Sequence, residues 1–89
     1  MENLTTFNNY KHFEDSGHSW LRVPKTEVIA LGLTPTGFSP KDKDFFYLEE
    51  DYDMQLFFQA KGIKGEAVRE FFRNIPSQWD NTSPVRALR

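Results

Sequence analysis

The sequence predicts an α+β domain: a four-stranded antiparallel sheet in a ββαββα-like order, with helices packed on one face. Three observations predict it. Residues 10–23 and 38–50 each read as two short strand segments rich in aromatic residues around a polar turn, the pattern of a hairpin. Each of these stretches runs into apolar residues at helical spacing. The two helical stretches then stop at a glycine, Gly32 in the first half and Gly62 in the second.

Residues 1–9 are polar and rich in Thr and Asn, and read as a flexible lead-in. A single domain follows over 10–76, with 77–89 as a tail pinned by Trp79. In the first hairpin, Ser16-Gly17 forms the turn, with Gly17 expected at positive φ. Pro24 suits the first turn of a helix over 25–31, where its missing N–H costs nothing. Gly32 ends that helix and Leu33 folds back on its last turn. Residues 38–41 and 45–50 form the second hairpin, with Pro40 marking an edge strand. Asp51 or Asp53 caps the next helix, 54–61, which buries Met54, Phe57 and Phe58. A last helix over 64–75 carries Phe71, Phe72 and Ile75 on one side and stops before Pro76.

Composition narrows the class. The chain has 89 residues, 38% hydrophobic and 16% aromatic, so it has apolar surface enough for one core and is no disordered chain. It has no cysteine, which excludes disulfides and thiol chemistry in this sequence. No apolar run is long enough to span a bilayer and no signal peptide opens the chain, so a cytoplasmic location is expected. The net charge is only −2, which disfavours general polyanion binding. Residues 41–53 nevertheless hold six acidic side chains against two lysines, a local acidic patch.

A two-residue turn at Ser16-Gly17 sets Phe13 opposite Trp20 and His12 opposite Leu21. Alternation then places Tyr10, Leu21, Val23, Phe46 and Leu48 against the helices. Phe13, Trp20, Phe45 and Tyr47 fall on the opposite face, inside a rim of Lys11, Asp15, Arg22 and Glu49. Aromatic side chains within a charged rim suit a protein contact surface. That face is either open to a partner, or covered by the tail or by a second copy of the chain.

The same register puts His12 and His18 on opposite faces, which argues against a shared metal ion, and His18 is expected to pair with Asp15 across the turn. No nucleophile–base order, phosphate loop or metalloprotease helix is present, so no catalytic residue, metal or cofactor is expected. Glu49, Glu50, Asp51 and Asp53 place four carboxylates in five residues, without the spacing of a calcium loop. Such a run either caps a helix in solvent or imitates phosphates toward a basic protein channel. Arg69, Arg73, Arg86 and Arg89 could touch nucleic acid, but Glu66 and Glu70 lie at pairing distance from the first two. Direct nucleic-acid binding is therefore the secondary reading.

The Gly17-His18-Ser19-Trp20 strand, the helix ending Leu31-Gly32-Leu33 and the run Tyr47-Leu48-Glu49-Glu50-Asp51-Tyr52-Asp53 resemble a set of small proteins encoded by phages, plasmids and their bacterial hosts. The resemblance covers roughly residues 10–60. This chain departs from that set at Tyr52, where a Cys is common, and in the second hairpin, where a Ser-Tyr pair is usual. The resemblance implies a mobile-genetic-element setting, in which small acidic proteins act as inhibitors of host defence nucleases of the anti-CRISPR or anti-restriction kind. The expectation is thus a non-enzymatic inhibitor that binds a host protein or nucleoprotein complex. Its contact residues would be Phe13, Trp20, Phe45, Tyr47, Glu49, Glu50, Asp51 and Asp53. The alternatives are a small nucleic-acid-binding regulator or a structural homodimer.

Overall fold

Asp15 organises the first hairpin in the computed structural model, which describes residues 9–80 and 82–88. Its Oδ1 accepts the backbone N–H groups of Gly17 and His18, both at 2.9 Å, closing the two-residue turn. Strands β1 (Lys11–Glu14) and β2 (Ser19–Pro24) then pair antiparallel with Phe13 opposite Trp20 and His12 opposite Leu21, as the turn placement predicts. Gly17 is not among the positive-φ residues, contrary to expectation. The Asp15 carboxylate shapes this turn without a left-handed residue.

Helix α1 (Lys25–Ala30) follows β2 directly. Gly32, at φ 76°, lets the Gly32 N–H reach the Ile29 carbonyl and the Leu33 N–H reach the Val28 carbonyl. Helix α2 (Asp53–Lys61) ends the same way at Gly62, φ 73°, with Ile63 bonding back to Phe58. Two paired bonds of this kind satisfy carbonyls that a helix end leaves orphaned. The strand–helix–glycine likeness of the two halves therefore extends to the hydrogen bonds.

The likeness fails at the second hairpin. Strand β3 (Phe45–Glu49) pairs antiparallel with β2, Leu21 opposite Leu48. Its expected partner over 38–41 shrinks to a single bridge between Lys41 and Phe46. Pro40 has no N–H to give a ladder, and the residues before it turn the other way. Ser39 N–H bonds back to the Thr36 carbonyl, and both side chains turn inward to Asp53.

The fourth strand comes from the expected tail. After α3 (Glu66–Arg73), β4 (Ser77–Trp79) lies parallel to β1, with His12 opposite Ser77 and Glu14 opposite Trp79. The sheet order is β3-β2-β1-β4, so the sheet is mixed and not wholly antiparallel. A short α4 (Ser83–Arg86) follows.

Two apolar clusters flank the sheet. Tyr10, Leu21, Val23 and Leu48 meet Val28, Met54, Phe57, Phe58 and Phe71 on the inner side. Phe13, Trp20 and Tyr47 form the second cluster on the outer side, and its fourth buried member is Val85 of α4. The alternation predicted which side each strand residue faces. The outer face is not open, and helices do not lie on one side alone.

Candidate functional site

The outer aromatic face is latched shut by the C-terminal segment. Val85 has no exposed surface, and Leu88 packs beside it. Asp15, whose Oδ1 shapes the hairpin turn, uses its Oδ2 to hold this segment. Thr82 Oγ1 donates to it at 2.6 Å and the Arg86 guanidinium at 2.9 Å. Those two donors, the hydroxyl first, hold the Asp15 carboxyl well below the usual carboxylate range. The Arg86 guanidinium also lies 5.2 Å from the centroid of the Trp20 ring. Beneath it, the Tyr47 hydroxyl donates to Asp42 at 2.8 Å. Burial first, and then that hydrogen bond, push the Tyr47 phenol up to about 12.

Phe13, Trp20 and Tyr47 are thus core residues, and Phe45 is half-buried at their edge. The expected aromatic contact surface is corrected to an interior one. Trp79, expected to pin the tail, stands 62% exposed on β4, and Thr82, Val85 and Arg86 do the pinning. His18 donates its backbone N–H to Asp15, whose remaining oxygen serves the tail, so no ring–carboxylate pair forms. The His18 ring lies tilted against Trp20, centroids 5.6 Å apart, and the His12 ring lies tilted against Phe72 at 4.4 Å.

The acidic run divides in two. Asp53 begins α2 but is only 3% exposed and caps nothing. Its Oδ2 accepts the Thr36 N–H at 2.9 Å, the Thr36 hydroxyl at 2.7 Å and the Ser39 hydroxyl. Ser39 Oγ in turn accepts the Glu49 N–H, tying the connector to β3. Asp53 is therefore a buried anchor for the turn at 36–39, outside any contact surface.

Glu49, Glu50 and Asp51 remain at the surface where β3 ends, and Glu14 ends β1 at the same edge of the sheet. Three other carboxylates have cations, with Lys61 meeting Glu27 at 2.7 Å, Arg73 meeting Glu70 at 2.6 Å and Arg86 meeting Asp15, while Asp42, Asp44, Asp53, Glu66 and Asp80 form no ion pair among the described residues. Among the described residues none of Glu49, Glu50 and Asp51 sits in an ion pair, and Glu14 has only His12 Nδ1 at 3.6 Å. Partial burial and the neighbouring charges of Asp51 and Glu50 raise the Glu49 pKa. Burial lowers that of His12 against the pull of Glu14 and Glu50. A mostly neutral imidazole offers Glu14 little countercharge.

Beside this edge lies a cleft of about 710 Å³ between the hairpin tip, α2 and α3. Met54 and Phe58 of α2, Ile63 of the connector, and Val68 and Phe72 of α3 line its apolar part. His12, Glu14 and Glu50 stand on the sheet side. Comparison of the chain with protein-family models, with curated proteins and with solved structures returned no match.

Met54, Phe58 and Phe72, which the sequence places in the core, and Val68 each present an edge to the cleft. Of the C-terminal arginines, Arg73 pairs with Glu70 and Arg86 is held by Asp15, Arg69 forms no ion pair among the described residues, and Arg89 lies outside them. Among the described residues no helix is long and apolar enough to cross a membrane.

Proposed function

We propose that the chain is a non-enzymatic binding protein that blocks a basic, nucleic-acid-handling surface of a host defence complex in the host cytoplasm. One observation carries this reading: Glu49, Glu50 and Asp51 follow one another where β3 ends, Glu14 ends β1 at the same end of the sheet, and among the described residues none of the four has a lysine or arginine in ion-pair reach. Crowded carboxylates repel one another, and that repulsion is relieved when a cationic partner arrives. Lysine and arginine side chains that hold phosphates are such partners, so the acidic edge would compete with a nucleic-acid backbone. The resemblance to small phage and plasmid proteins supports the host-defence setting. The engagement of Arg73 and Arg86 within the chain weighs against direct nucleic-acid binding.

The test is the triple variant Glu49→Lys/Glu50→Lys/Asp51→Lys, which spares the buried Asp53. Circular dichroism should report a folded protein. The parent should capture a nuclease-containing complex from host lysate and inhibit its cleavage of labelled DNA or RNA, and the variant should do neither. Equal inhibition by the folded variant would remove the acidic edge from the function.

A further inference from the structure

The cleft beside the acidic edge has a composition that selects its occupant. Its apolar side, Met54, Phe58, Ile63, Val68 and Phe72, suits a large apolar group. Its sheet side brings Glu14 and Glu50 together around His12, whose ring is fixed against Phe72. Asp15 also borders the cleft, but Thr82 and Arg86 already occupy the Oδ2 of its carboxylate. Lys64 is the one lysine or arginine among the lining residues. Two carboxylates against one lysine disfavour an anion, and a purely apolar occupant would cover Glu14 and Glu50 without compensating their charge.

We propose that this cleft takes a short polypeptide segment of a partner protein in which an arginine or lysine stands next to a large apolar side chain. The apolar group rests on Phe58 and Val68 while the cation meets Glu14 and Glu50. A small amine could share that chemistry, but Glu50 belongs both to the cleft and to the acidic strand end, so an occupant that uses both is a polypeptide. The inference rests on the binding-protein reading above and states what that partner presents.

The probe is N-acetyl-Leu-Arg-Phe-Arg-Leu-amide, titrated into the ¹⁵N-labelled full chain. Its control has both arginines replaced by citrulline, which keeps shape and removes charge. Shift changes should concentrate at His12, Glu50, Phe58 and Val68, and the citrulline peptide should bind at least about tenfold more weakly. Glu14→Gln/Glu50→Gln should erase the difference between the two peptides. Val68→Trp, which narrows the apolar side of the cleft and leaves the carboxylates in place, should weaken both. Equal affinity for the two peptides, shifts centred elsewhere, or no shift at roughly millimolar peptide overturns the proposal. Peptide binding without nuclease inhibition would sink the inhibitor reading and leave the cleft assignment standing. Inhibition that needs Glu49 and Asp51, with no peptide binding, would do the reverse.

Discussion

Val85→Ala tests whether the C-terminal segment is part of the fold or an appendage. Val85 has no exposed surface and packs on Phe13, Trp20 and Tyr47. The change removes the equivalent of two buried methylenes, at about 0.8 kcal/mol each. The residual cavity adds to this, because α4 is held by Thr82 and Arg86 and collapses only in part, for an expected loss of about 2–3 kcal/mol. In a domain of this size that lowers Tm by roughly 8–20 °C. Urea unfolding followed by circular dichroism measures it, with Ile29→Ala as control, since Ile29 is 68% exposed and should shift stability by less than about 0.5 kcal/mol. In a Trp79→Phe background the remaining fluorescence comes from Trp20, which acrylamide should quench poorly until the protein unfolds. A Val85→Ala loss below about 0.5 kcal/mol, with Trp20 freely quenched, would show the aromatic face open and the latch misplaced.

Three further outcomes are expected. Gly62→Ala should cost about 1 kcal/mol because φ there is 73°, whereas Gly17→Ala, whose added Cβ meets only Asp15 Oδ1 at 3.8 Å, should be near neutral in thermal melts; equal costs would contradict the turn geometry. Asp53→Ala should cost about 3 kcal/mol or more, since it strands buried donors of Thr36 and Ser39, and amide exchange should speed up over residues 36–39; unchanged exchange would deny the anchor. Asp15 titrates below its unfolded value near 4 in the folded state, so its contribution is present above about pH 4 and lost as pH falls further. Asp15→Asn should therefore flatten the acid limb of a stability–pH profile, and an identical limb would refute the latch.

How far the sequence was legible depended on whether a signal was local. The register of β1 and β2 followed from one two-residue turn and the period of a strand, and so did the sides taken by Leu21 and Trp20. Gly32 and Gly62 announced their helix ends because left-handed φ leaves few other residues. Asp53 was misread as a cap because its partners, Thr36 and Ser39, lie 17 and 14 residues away. Those same bonds fold residues 36–39 into a turn and leave β3 with the single bridge from Lys41 to Phe46 in place of a fourth hairpin strand. Ser77–Trp79 carries no apolar alternation, and its place is set by the register of β1. The acidic edge was visible as a run of letters; that Asp53 leaves it and Glu14 joins it is a property of the sheet.

The pairing of residues 12–14 with residues 77–79 sets the order in which this sheet can close. A chain emerging from the ribosome can close its first hairpin early, since that needs only a short loop. The outer edge of β1 stays unpaired, and Phe13 and Trp20 stay uncovered, until residues 77–85 have emerged. Contacts this distant in sequence close late and slowly. Truncated products would carry a naked strand edge beside exposed aromatic rings, a template for aggregation. Arrival of residues 77–85 is thus what turns a hairpin prone to association into a closed sheet.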